Sequence, residues 1–208
     1  MLSDIIEFLA TGIIAVIDAI GYAGAALLMA IESACIPLPS EIIMPFTGYL
    51  VSTGSMNLIL VATAGAIGCN IGSELVYLVG RHGGRTAILR WGRYVLLDAA
   101  DLDMADRFFA RFGNAAMFIA RLLPVIRTFI ALPAGIVGMK KVPFHIYTFL
   151  GSWPWCFALA YVGMALGNEW HSNPTLSTWL HRFDALIILA ILGLGGLFLW
   201  HKLHKRKA

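Results

Sequence analysis

The sequence predicts an all-α integral membrane protein: an inverted repeat of a re-entrant broken-helix hairpin plus a transmembrane helix, with amphipathic interfacial helices and a final transmembrane helix. Three observations lead there. The 208 residues are 59% hydrophobic and only 13% charged, against about 45–50% and about 25% in soluble domains. Prolines and charged residues interrupt short apolar runs. The second half of the chain also repeats the pattern of the first. The length suits one membrane domain over 1–208, with repeat 1 at about 20–80, interfacial helices at about 81–112, repeat 2 at about 113–166 and a last span at about 181–203.

Residues 5–31 are apolar apart from Asp18 and Gly21, which divide them into an amphipathic or interfacial helix to about 18 and a second helix from Tyr22 to Ile31. "ESACIPLPSE" (32–41) follows, then the short apolar piece "IIMPFTGYLV". A span needs about 20 residues, so two shorter arms around a proline-rich polar turn predict a hairpin that returns to its own side. Residues 57–80 are long enough to cross, with Gly65, Gly68 and Gly72 on one small-residue face suited to close helix packing. "RHGGRTAILRWGRYVLLD" mixes arginines, aromatics and aliphatics and reads as a separate interfacial helix. A short helix that Asp98 could cap comes next.

"AAMFIARLLPVIRTFIALPAGIVGM" (115–139) again sets short apolar arms around charges and prolines. A shift of 90 positions brings Ala25 onto Ala115, Ala30 onto Ala120 and Gly48 onto Gly138, and "LVYLVG" (75–80) matches "LAYVG" (159–163) at another offset. Each half makes an odd number of crossings, so the second copy lies upside down, a transporter architecture. Basic residues gather at Arg81–Arg93, Lys140–Lys141 and His201–Lys207. By the positive-inside rule these segments and the C-terminus are cytoplasmic, and 52–56 and 167–180 face outward. The acidic start predicts no cleaved signal peptide. Cys35, Cys69 and Cys156 are expected as free buried thiols.

The charges inside the hairpins carry the functional reading. Glu32 and Glu41 flank Pro37 and Pro39, whereas Arg121 and Arg127 flank Pro124. Four such charges facing lipid would cost on the order of 10 kcal/mol, so they face one another or a wet cavity at the centre of the fold. Pro37, Pro39, Pro45, Pro124 and Pro133, with Gly48 and Gly135, are expected to break and shape the hairpins. Two arginines in an apolar cleft suit a phosphate, and intramembrane carboxylates suit a proton relay. The simpler reading is that the four residues pair only to hold the hairpins together. Glu74 is a second acidic candidate near the end of its span. Neither metal-ligand spacing among the six histidines nor a phosphate loop in "GRHGG" is present. No cofactor, metal or nucleic-acid partner is expected, and a homo-oligomer stays open. A membrane enzyme acting on lipid phosphates would need a nucleophile that the pattern does not offer, whereas a proton-coupled exporter of small ions fits the same charges.

"ESACIPLPSEIIMPFTGYL", "GSELVYLVGRHGG", "FARFG" and "FIARLLPVIRTFIALPAGIVGM", in that order, resemble the DedA family of bacterial inner-membrane proteins (VTT-type lipid translocases). The resemblance implies two inverted re-entrant hairpins in the cytoplasmic membrane. It also implies translocation of a lipid such as undecaprenyl phosphate or a similar anionic phospholipid, linked to the proton-motive force. The family's acidic residues fall on Glu32 and Glu41, and its paired arginines on Arg121 and Arg127. General phospholipid scrambling or transport of ions remains open within the family. No fused catalytic domain is expected.

Overall fold

The computed structural model of the chain describes residues 2–36, 38–95, 107–122 and 126–167, the side chains of 2–10 and 84–95 excepted. All of them fall in one compact unit, Met1–Gly167. The last span expected at 181–203, Pro37, Pro124 and Asp98 lie outside the described residues. Every regular element among the described residues is a helix.

Helix α1 (Leu2–Ile20) stops at Gly21, whose φ of 56° is open to a residue without a Cβ. Helices α2 (Tyr22–Ser33) and α3 (Ser40–Ser52) have 12 and 13 residues. At 1.5 Å per residue each is about 18–20 Å long, short of a hydrocarbon core of about 30 Å. Pro39, in extended conformation, precedes the first turn of α3. Pro45 differs from expectation, because α3 continues through it. The ring removes the bond to the Glu41 carbonyl, at a cost of about 3 kcal/mol, and close packing of α3 on its neighbours offsets the loss.

Helix α4 (Leu58–Val95) runs for 38 residues, its first amides at Ile59 and Leu60 capped by the Asn57 side chain at 3.0 and 3.3 Å. The crossing helix and the interfacial helix expected after residue 80 are therefore one element. Gly83 and Gly84 each cost about 1 kcal/mol in a helix, too little to break a run propagated by Arg, Ala, Ile and Leu. Its apolar part, Leu58–Gly83, is long enough to cross a membrane, and the whole helix spans about 57 Å.

A helical turn over 107–112 (α5) ends at Gly113. Helices α6 (Ala115–Arg121), α7 (Ile126–Phe129) and α8 (Ala131–Ile136) follow. Pro133 cannot bond the Phe129 carbonyl, which interrupts the ladder between α7 and α8. Helix α9 (Lys141–Leu166) is the second element long and apolar enough to cross, and it carries Pro154 inside it.

Bare glycine backbone sets the packing. A Cβ at Gly68 or Gly72 would run into the Ala26 or Ala30 carbonyl, so α2 lies directly on α4. Gly65, on the same face, meets Met44 and Cys156 instead. Gly48 of α3 seats on the Ala160 carbonyl of α9 and Gly163 of α9 on that of Pro45. Likewise Gly135 of α8 seats on the Tyr77 carbonyl of α4 and Gly80 of α4 on that of Leu132. Gly48 thus finds its packing counterpart in Gly135 rather than Gly138, which turns the chain after α8 with φ 73°. Helices α4 and α9 run antiparallel, with Thr63 on Trp153 (3.2 Å), Asn70 on His145 (2.9 Å) and Glu74 on Lys141 (2.9 Å).

Two apolar cores result. Ile17, Met29, Ile43, Met44 and Val61 belong to the first, and Tyr77, Met117, Ile130 and Phe144 to the second. Cys69 and Cys156 are buried in the first, as expected; Cys35 is exposed, because it stands in the α2–α3 turn with φ 66°. Ile67, Ile71, Leu75 and Val79 on α4, with Val142, Ile146 and Leu150 on α9, form an exposed apolar belt that suits lipid.

Candidate functional site

Between the two cores the helices turn polar. Along α4, Ser73 lies between Cys69 of one core and Tyr77 of the other; along α9, Thr148 and Ser152 lie between Phe144 and Cys156. Ser73 and Ser152 are near the middle of the two apolar spans.

The charged residues converge on this level. Glu32 ends α2, Arg121 ends α6 and Arg127 belongs to α7; they are 7%, 2% and 5% exposed. Arg127 Nη2 donates to both oxygens of Glu32, at 2.8 and 3.0 Å, and to the Ser40 hydroxyl at 3.1 Å. The Ser40 hydroxyl donates onward to Glu41 at 3.3 Å. The Arg127 guanidinium carbon stands 5.0 Å from the Trp155 ring centroid, a cation–π contact. Arg121 donates from Nη2 to the Ser73 hydroxyl, and its charge acts on both Glu32 and Arg127. Glu32 is thus paired with the Arg127 guanidinium, with the second carboxylate one hydroxyl away.

Three of the four expected charges are thus sealed in one cluster, and Glu41, half-buried in the first turn of α3, joins through Ser40. Of the two settings expected, one another or a wet cavity, the described residues show the first, because Arg127 closes on Glu32 and Ser40. A groove of about 660 Å³ lies instead between α4 and α9, lined by Ile67, Ile71, Leu75, Ile146 and Leu150, with Asn70, Glu74 and His145 at its polar part. Glu74 is held there by Lys141 at 2.9 Å and His145 at 3.3 Å. Of the expected hairpin-shaping residues, Pro39 bounds α3 and Pro133 lies in the first turn of α8, whereas Gly48 and Gly135 act as packing surfaces.

Ser40, Ser73 and Trp155 were not singled out from sequence. Ser40 abuts Glu41 inside the quoted motif, and Ser73 precedes Glu74, so both sat beside residues already marked. Trp155 carried no signal, since an aromatic in an apolar run is ordinary.

An ion pair and a second buried arginine at the mid-depth of two antiparallel apolar spans define a polytopic helical membrane protein with a charged core. The VTT domain family matches residues 38–165. The chain belongs to that family, the DedA family. It is 38% identical to undecaprenyl phosphate transporter A of Bacillus subtilis (strain 168) over 72% of this chain and 74% of that one. It is 36% identical to the uncharacterized membrane protein YkoX of the same organism, over 97% and 88% of the two chains. An alkaline phosphatase-like protein of Lactococcus lactis subsp. cremoris (strain MG1363) is 34% identical over 87% and 85%. No solved structure matches the chain.

Proposed function

We propose that this protein translocates an anionic lipid, undecaprenyl phosphate or one with a similar phosphate head, across the bacterial cytoplasmic membrane. The observation that carries the reading is the Glu32–Arg127 pair, with Arg121 beside it, buried at the middle of two spans. A buried pair stabilises a fold no better than apolar packing of the same volume, which favours a role beyond structure. The lipid phosphate competes with Glu32 for Arg127 and gains Arg121 as a second clamp. Glu32, once released, and Glu41 take up protons and so link passage to the proton gradient. The reciprocal seats of Gly48, Gly163, Gly135 and Gly80 favour two inverted halves, each a re-entrant hairpin and a long helix. The name of the Bacillus relative points to the same substrate class.

The test is leaflet-resolved translocation of a lipid phosphate in proteoliposomes, with and without a proton gradient. Arg121→Ala and Arg127→Ala should each reduce transport at least a hundredfold while folded protein remains, and Glu32→Gln should flatten its pH dependence. Normal transport in both arginine variants would refute the head-group role. Measuring inorganic phosphate in the same vesicles separates translocation from hydrolysis, the activity named for the Lactococcus relative. Proton flux driven by a cation gradient without lipid phosphate would instead favour an ion exporter.

A further inference from the structure

Three polar groups of α9 and of the arginine packed on it are sealed from solvent and have no hydrogen-bond partner among the described residues: Arg121 Nε, the Thr148 hydroxyl and Trp155 Nε1. Thr148, Gly151, Ser152 and Trp155 share one face of α9 by helical spacing. That face touches both cations: Gly151 is where the Arg121 side chain lies against α9, and the Trp155 ring lies under Arg127.

The other sealed atom without a hydrogen bond, Glu74 Oε2, still has His145 at 3.3 Å as an ion-pair partner. Thr63 donates to the Ile59 carbonyl at 2.7 Å and Thr47 to that of Met44 at 2.7 Å, the usual fate of a threonine hydroxyl in a helix. Trp153, two positions before Trp155, donates to the Thr63 hydroxyl at 3.2 Å. Thr47, Thr63 and Trp153 are thus satisfied, whereas Thr148 and Trp155 are not. Sealing a donor without an acceptor is unfavourable. Two of them on one face of α9, with the third on the arginine packed against that face, mark a place suited to an acceptor.

We infer that Arg121 Nε, Thr148 and Trp155 are head-group ligands that make the site selective for lipid phosphomonoesters over phosphodiesters. The inference rests on the proposed function and extends it. A phosphomonoester presents three non-bridging oxygens and up to two negative charges; a diester presents two oxygens and one charge. The guanidinium edges now turned to Glu32, Ser40 and Ser73 supply one set of donors. The three unpartnered groups supply a second set on the α9 side, where the third oxygen lies. Such buried donors discriminate strongly against a ligand that leaves them unpaired.

The test uses the full-length protein in phosphatidylcholine nanodiscs. The probes are monododecyl phosphate, a monoester, and phosphatidylglycerol, a diester. Trp155→Phe keeps the ring beneath Arg127 and removes the N–H; Thr148→Val keeps the shape and removes the hydroxyl. Each should weaken monoester binding about tenfold, the effect of one lost charge-assisted hydrogen bond, and leave diester binding within about twofold. Neither should lower the unfolding temperature without probe, since each removes a donor that the resting protein leaves unpaired. Trp153→Phe and Thr63→Val, which break existing bonds, should lower that temperature and leave affinity unchanged. Monoester affinity equal to wild type in both variants, an equal loss for the two probes, or a fall in unfolding temperature matching the loss of affinity would overturn the inference. Arg127→Gln separates the two levels. Binding lost there but intact in Trp155→Phe and Thr148→Val refutes these ligands alone, and binding intact in all three refutes the head-group site itself.

Discussion

Arg127 holds Glu32, Ser40 and the Trp155 ring at once, so its removal leaves a buried carboxylate with no cation in contact. Arg127→Ala should cost about 3–5 kcal/mol of stability, read as a lower unfolding temperature in detergent. Replacing both partners, as Arg127→Met with Glu32→Leu, should restore most of that stability, because an apolar pair of similar volume packs equally well. Transport should stay absent in the double variant, which separates holding the fold from doing the work. At Cys35, the non-glycine φ of 66° stores strain of about 1 kcal/mol. Cys35→Gly should recover part of it in the same melting measurement. The four charges were legible because a charge in an apolar run is costly and demands a reason. Ser40 and Ser73 were not, because a serine in a helix can satisfy itself on its own backbone and costs little.

Helix ends were legible where conformation demanded a particular residue, as at Gly21, Pro39 and Gly167. They were not legible where tertiary packing overrode propensity: α3 continues through Pro45 and α4 through Gly83–Gly84. Small residues along α4 announced close packing, but not which element each would meet, since that depends on contacts distant in sequence. The glycines now predict opposite signs. Gly48→Ala would drive a methyl into the Ala160 carbonyl and should destabilise by about 1–3 kcal/mol. Gly12→Ala in α1 meets nothing within 4 Å and should stabilise by up to about 1 kcal/mol through helix propensity. Thermal melts of the two variants against wild type check both.

Across the whole molecule, the antiparallel pairing of α4 and α9 puts their starting ends at opposite poles, so the turn at 53–57 and the turn at 137–140 should open on opposite sides of the membrane. In a background with Cys35, Cys69 and Cys156 replaced, a membrane-impermeant thiol reagent should label Ser55→Cys and Lys140→Cys from different sides of sealed vesicles. Labelling of both from one side would contradict two inverted halves. The alternation of short and long apolar runs made two long spans and several shorter apolar helices legible. The exchange by which α3 meets α9 and α8 meets α4 was not, because those backbone contacts leave no mark in composition.

That exchange has a consequence for how the protein is made. When α3 leaves the ribosome its seat on α9 does not yet exist, and about 100 further residues must be synthesised first. At about 5–20 residues per second, the nascent first half waits on the order of 5–20 s with its glycine faces uncovered, so chaperoning at the insertion machinery becomes part of its biogenesis.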